Sequence, residues 1–195
     1  DYHELLREKL AQLASYIERT LGRELSTYIA VDSSPVLEKS LAVQAGLGLL
    51  GKNTLLMNEL YGSWLFLGEL FLDIKLEPDL PLKGDFCGDC SICVDACPTS
   101  ALLGDKTMDA SKCISYLTIE HRGEIPEAVR GRMSGQVIGC DICQKICPMN
   151  QGAKLPALDF ELPQVLPANL DLPTCLALDE ESYKELFGKT TVMRL

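Results

Sequence analysis

Leucine and isoleucine recur at three- and four-residue intervals over residues 2–21 (Leu5, Leu6, Leu10, Leu13, Ile17 and Leu21), with charged side chains between them. This spacing predicts an amphipathic helix, and Gly22 is placed to end it. Residues 25–31 read as a strand, because Tyr28, Ile29 and Val31 form a β-leaning run. A second helix is predicted to open at Ser34 as N-cap, with Pro35 at its first position. Val36, Leu37, Leu41 and Ala45 give that helix its apolar face, and Gly46 stops it. A strand-like run at 54–57, a turn at 58–62 and a longer apolar run at 63–72 predict a hairpin.

The segment from Gly46 to Gly51 matches G-x-G-x-x-G by letter. A dinucleotide fingerprint must follow a strand and open a helix, whereas this stretch follows a helix and leads into a strand. It is read as a glycine-rich turn that allows close backbone approach.

Proline and glycine punctuate residues 78–84, and cysteine density jumps immediately afterwards. Three regions are therefore expected: an N-terminal domain over 1–80, a cysteine-rich module over 81–150, and an extended connection over 151–195. The last region carries Pro156, Pro163, Pro167 and Pro173, then a short helix capped by Asp179 and closed by Gly188. The chain starts at Asp1 inside a helical pattern and ends on Met193, Arg194 and Leu195 with no stop signal. It is expected to be an internal segment of a longer protein.

Composition narrows the class. Apolar residues make up 47% of the chain, yet no run is long and apolar enough to span a bilayer. No membrane association is expected. The net charge of −10 opposes non-specific nucleic-acid binding, which needs cations against phosphate. The chain has nine cysteines, and the short C-x-x-C intervals among them, without a secretory signal, point to metal ligands in a reducing compartment rather than to disulfides.

Their order is specific. The first motif is Cys87-x2-Cys90-x2-Cys93-x3-Cys97-Pro98; the second is Cys140-x2-Cys143-x3-Cys147-Pro148, with Cys113 standing upstream as its displaced fourth member. In the bacterial two-cluster pattern, the cysteine before proline ligates the other 4Fe-4S cluster. Cluster one is then expected on Cys87, Cys90, Cys93 and Cys147, and cluster two on Cys97, Cys113, Cys140 and Cys143. Zinc also takes four cysteines, but as two C-x-x-C pairs across a longer spacer and with no need of a fourth cysteine before proline. Cys175 has no partner spacing and is expected to be a buried apolar side chain. On these grounds alone the chain is an electron carrier with an added N-terminal domain.

Longer motifs carry a resemblance. The run from Ala30 to Lys39, which includes Asp32-Ser33-Ser34-Pro35, is similar to the epoxyqueuosine reductase family. So are Ala45-Gly46-Leu47-Gly48, the stretch Gly51 to Leu56, and Cys113 to Glu120. The resemblance implies an α+β fold: a nitroreductase-like or reductive-dehalogenase-like cobalamin domain, then a two-cluster bacterial ferredoxin-like domain, then the start of a helical tRNA-binding region. It implies reduction of epoxyqueuosine to queuosine in the anticodon stem-loop of tRNA. The cofactors would be two 4Fe-4S clusters and cobalamin, fed by a low-potential donor such as flavodoxin or ferredoxin. A cytoplasmic monomer is expected.

Reductive opening of an epoxide needs two electrons and a proton on the departing oxygen; clusters deliver electrons singly, and cobalamin can store two. Asp32 matches the family's proton donor, provided that burial beside the corrin keeps it protonated. Cobalamin contacts are expected from Lys52, Asn53 and Thr54, from Ser115, Tyr116 and Thr118, and from Gln136 and Val137, since small residues and backbone groups suit a flat macrocycle. Neither histidine, His3 or His121, has the context of a cobalt ligand. Arg122, Arg130 and Arg132 form a candidate strip for RNA. A reductive dehalogenase-like enzyme with the same cofactors is the competing catalyst; Asp32-Ser33-Ser34-Pro35 and the lack of a twin-arginine signal favour the epoxide reductase.

Overall fold

The computed structural model describes residues 2–154, 171–188 and 190. The prolines at 156, 163 and 167 and residues 191–195 lie outside this range. Helix and sheet are mixed. Helix α1 (Tyr2–Leu21) follows the leucine period, and Gly22 closes it at φ +67, a left-handed value that favours glycine. Strand β1 (Thr27–Ala30) pairs antiparallel with β4 (Glu69–Leu72), Thr27 opposite Leu72 and Ala30 opposite Glu69. Helix α1 packs on this sheet. At Gly68 a Cβ would sit 3.0 Å from Leu10 Cδ1, so the missing side chain lets α1 come close.

Helix α2 (Glu38–Gln44) lies against a second small sheet, β2 (Leu49–Leu50) with β3 (Leu56–Met57). Ala42, Leu49, Leu56 and Met57 are its buried apolar side chains. The glycine-rich turn behaves as expected: a Cβ on Gly48 would lie 2.2 Å from the Met57 carbonyl. No dinucleotide geometry arises, because Gly51 leads to β3 and not to a helix.

Two expectations are corrected. The run at 63–72 does not form a hairpin with β3; each pairs elsewhere, and only 69–72 is strand. The reason is polar. Ser63 donates its N–H to Asn150 Oδ1 at 2.7 Å, and its carbonyl accepts from Gln144 Nε2 at 2.7 Å, so its backbone is unavailable to a ladder. The second helix starts at Glu38 and not at Ser34. Ser33 N–H bonds the Val31 carbonyl and Val36 N–H bonds the Ser34 carbonyl, both at 2.7 Å, giving successive tight turns where a helix would begin.

The cysteine module is built from two copies of one device. Helix α3 (Ile92–Asp95) and helix α6 (Ile142–Lys145) carry Cys93 and Cys143, each the cysteine four residues before a Cys-Pro pair, and pack against each other. Between them run α4 (Ile114–Ile119) and α5 (Glu127–Arg130), with a 3-10 turn at Ala110–Lys112 leading into Cys113. A 3-10 turn at Pro148–Asn150 follows Cys147. Helices α7 (Leu172–Leu176) and α8 (Glu180–Phe187) complete the described chain. Asp179 caps α8 through Ser182 N–H at 2.8 Å, and Gly188 ends it, as expected.

Asn150 bolts the module to the N-terminal part. Its Nδ2 donates to Ser63 Oγ at 2.9 Å and to the Gln144 carbonyl at 2.6 Å, while Oδ1 accepts from Ser63 N–H. Asn150→Ala removes every one of these bonds and leaves part-buried groups unpaired. Thermal melting should show about 2–3 kcal/mol lost, and Gln144→Ala in the same background should add little, because the two share partners. No described helix is long and apolar enough to cross a membrane.

Candidate iron–sulfur centre and adjoining site

Each cysteine loop is shaped by its own backbone. Cys90 N–H bonds the Cys87 carbonyl at 2.8 Å, and Cys97 N–H bonds Val94; at the matching place in the second copy, Cys147 N–H bonds Gln144. Lys52 wraps the first loop: its N–H points at Cys87 Sγ at 3.3 Å, and its Nζ donates to the Gly88 and Cys90 carbonyls at 2.8 and 3.0 Å. Cys147 Sγ meets Met57 Sδ at 3.9 Å, so the β2–β3 sheet floors the module.

Burial and neighbouring thiols shift several of the cysteines, and the charge of Cys93 reaches Cys143 across the two motifs. Burial pushes Cys93 up, and the charges of Cys87 and Cys147 add to it. Cys147 belongs to the second sequence motif, yet it acts on the first. Burial also raises Cys140, with Cys113 and Cys97 contributing. Cys143 is pushed up to about 12 by burial, then by Cys140 and Cys113. For Cys97, burial is outweighed by the Ala101 N–H at 3.3 Å and by Thr99, and the thiol falls below its ordinary value. Cys97, Cys113, Cys140 and Cys143 all line one cavity of about 450 Å³. Among the described residues no three such ligands close around a single ion; these thiols ring a volume instead.

Four of the eight candidate cobalamin contacts line that same cavity: Asn53, Thr54, Ser115 and Tyr116. The other four do not. Lys52 is engaged by the first cysteine loop. Thr118 Oγ1 donates to the Ile114 carbonyl at 2.7 Å and accepts from Gly139 N–H at 2.9 Å, tying α4 to the residue before Cys140. Gln136 is half-buried and Val137 exposed, and neither lines the cavity. Asn53 is the notable member. It is 3% exposed, its Oδ1 accepts from Leu55 N–H, and its Nδ2 is buried without a hydrogen-bond partner. Thr54 beside it holds φ +65, which is unusual for a β-branched residue.

Asp32 sits on the turn after β1 at φ +52. Its carboxylate is exposed, with a relative side-chain accessibility of 58%, so the protein's described atoms do not supply the burial anticipated for it. Oδ2 meets His3 Nε2 at 2.9 Å, and His3 is buried in a ring stack with Tyr2, which in turn stacks on Phe66. His3 lies on the apolar stripe of α1, three and seven residues ahead of Leu6 and Leu10, and a histidine buried on that stripe is the sequence signal for this contact. The Asp32 N–H donates to Glu38 Oε1 at 2.5 Å.

Close by, burial raises the Glu69 carboxyl and the charge of Glu38 adds to it. A raised folded-state value favours the neutral acid, so the fold loses stability as pH climbs from the ordinary carboxylate value through the raised one. Glu69→Gln should therefore raise the melting temperature at about pH 7 and have little effect near pH 4.

The arginine strip is only partly free. Arg130 bonds the Ile125 carbonyl at 2.6 Å and Glu124 at 3.2 Å, whereas Arg122 and Arg132 are exposed. The His121 ring lies 6.3 Å from that of Tyr116. Cys175 is half-buried on α7 rather than fully buried, because α7 is short and mostly exposed.

Residues 86–150 match the model of the 4Fe-4S double cluster binding domain. The whole chain is 42% identical to an epoxyqueuosine reductase of Cyclobacterium marinum, covering 61% of that protein. It is 45% identical to one of Pseudomonas aeruginosa over 97% of this chain and 52% of the relative. A crystal structure of epoxyqueuosine reductase with an epoxyqueuosine-modified tRNA-Tyr stem loop superposes at TM-score 0.84, with 35% identity over 96% of this chain and 49% of that one. A Bacillus subtilis epoxyqueuosine reductase, solved with its aspartate-bearing catalytic loop swung out of the active site, superposes at 0.81 with 34% identity and the same coverage. The chain thus spans about half the length of the proteins it matches, and over that span it is similar from end to end to epoxyqueuosine reductases.

Proposed function

We propose that this chain forms the cluster-bearing half of an enzyme that reduces epoxyqueuosine to queuosine in the anticodon loop of tRNA. The observation that carries the reading is the end-to-end match to epoxyqueuosine reductases, one of them solved with the modified tRNA stem loop. In this reading residues 1–80 are part of a nitroreductase-like cobalamin domain, 81–150 are the ferredoxin-like module, and 151–195 lead to a helical tRNA-binding region. Cys87, Cys90, Cys93 and Cys147 hold one cluster; Cys97, Cys113, Cys140 and Cys143 hold the other. The pairing of Cys147 with Cys93, and of Cys97 with Cys140, supports this crossed assignment.

Asn53, Thr54, Ser115 and Tyr116 fit a cobalamin face. The buried, unpartnered Asn53 amide asks for an acceptor, and a corrin carries amide carbonyls around its rim. Cobalamin, when bound, supplies a cobalt centre that can hold an electron pair. The chain's own residues do the rest. Two electrons and two protons convert the epoxide to an alkene and water. Cys97, Cys113, Cys140 and Cys143, which would hold a cluster able to supply electrons one at a time, line the same cavity as Asn53. Asp32 gives the proton to the departing oxygen from its left-handed turn. Cofactor and substrate closing over the exposed carboxylate would supply the burial that the chain leaves out. Arg122 and Arg132 are the part of the strip left for RNA phosphate, in an acidic chain whose main RNA affinity then lies in the helical region. The donor is a low-potential flavodoxin or ferredoxin, and the protein works as a cytoplasmic monomer.

The test is anaerobic reconstitution with iron, sulfide and cobalamin, followed by incubation with epoxyqueuosine-tRNA and with a halogenated phenol. Retained cobalamin and conversion of the tRNA nucleoside support the reading. Dehalogenation alone would point to the competing catalyst, and clusters without cobalamin to a plain carrier.

A further inference from the structure

Two consecutive residues of α2 tie the Asp32 turn to the wall of the cavity. Glu38 accepts the Asp32 N–H at 2.5 Å, and Lys39 Nζ donates to the Thr54 carbonyl at 2.9 Å. Asp32 and Thr54 are both non-glycine residues in the left-handed region, at φ +52 and +65. Such backbone persists only where the surroundings over-determine it. Here each strained residue is held through a backbone group by its own neighbour on one helix. The helix is itself seated on the β2–β3 sheet, whose Met57 touches Cys147. Glu38 and Lys39 therefore form a spacer of fixed length between the Asp32 turn and the Asn53–Thr54 wall.

We propose that Glu38 is a positioning residue for Asp32. It acts on the backbone, while His3 holds the carboxylate from the α1 side. Its role is that of a hydrogen-bond acceptor and does not depend on charge. Arg7, which donates to Ser33 Oγ at 3.4 Å, and Glu69, whose carboxyl feels the charge of Glu38, are the other charged groups around the turn. The inference rests on Asp32 as proton donor and adds what sets its reach.

The experiment compares Glu38→Ala, Glu38→Gln and Asp32→Asn in reconstituted protein with iron content and bound cobalamin matched to wild type. Removing the hydrogen bond to the donor's backbone should lower kcat for epoxyqueuosine-tRNA by roughly 10- to 100-fold in Glu38→Ala with KM little changed. Glu38→Gln keeps the acceptor and should restore most of the rate. Hydrogen exchange in the peptide over residues 28–37 should quicken in Glu38→Ala and not in Glu38→Gln. Wild-type turnover in Glu38→Ala, or a glutamine variant no better than alanine, overturns the inference while Asp32→Asn remains inactive. Full turnover in Asp32→Asn overturns the donor reading and this inference together.

Discussion

Cys113→Ala is expected to remove one cluster whole, so that iron falls from roughly eight to roughly four atoms per chain and epoxide reduction drops below detection. Cys113 stands far from both compact motifs, yet it lines the cavity with Cys97, Cys140 and Cys143. If Cys97 serves the same cluster, Cys97→Ala/Cys113→Ala loses no more iron than either single variant. If Cys147 serves the other, Cys113→Ala/Cys147→Ala loses nearly all of it. Iron analysis and the low-temperature paramagnetic signal of the reduced protein read both outcomes. Were each motif to hold its own cluster, Cys147 rather than Cys97 would pair with Cys113, and the two double variants would exchange behaviour. Electron traffic explains the size of the effect: a missing relay stops turnover, whereas a perturbed one only slows it.

Asp32→Asn should leave both clusters and cobalamin binding intact while lowering reduction by roughly 10²- to 10⁴-fold, the range for loss of a general acid. Asparagine has almost the same shape and tolerates the left-handed backbone that Asp32 occupies. The Glu38 bond to the backbone N–H and a contact to His3 both survive the change, so the loss reports the proton and not the turn. Rates that stay at the wild-type level would assign the proton to another group or to solvent.

Local chemistry was legible in the chain before any coordinates. The leucine period drew α1, Gly22 ended it, and Asp179 and Gly188 bounded α8. What failed was pairing between distant segments. Nothing in residues 63–72 says that Ser63 will be taken by Asn150 and Gln144, and without that the run reads as one long strand. Residues 33–36 have the composition of a helix start, but a carboxylate reaching back from Glu38 holds the turn ahead of it. Among the candidate cofactor contacts, Lys52 and Thr118 have the right neighbours and the wrong direction: a lysine amine went to two carbonyls and a threonine hydroxyl to its own helix. Side-chain direction is set by tertiary partners, which a linear motif does not contain.

In the proposed reaction, electrons held by the two clusters open the epoxide of a tRNA nucleoside. Its most direct measurement is a single-turnover titration: protein carrying both clusters and cobalamin, reduced and freed of reductant, is mixed anaerobically with epoxyqueuosine-tRNA, and cluster oxidation is followed optically while the nucleoside is identified by mass. Queuosine should form with two electrons withdrawn from the protein for each molecule made, and none should form in Cys113→Ala. Queuosine produced by the cluster-depleted variant, or cluster oxidation with the epoxide left unchanged, would rule this reaction out.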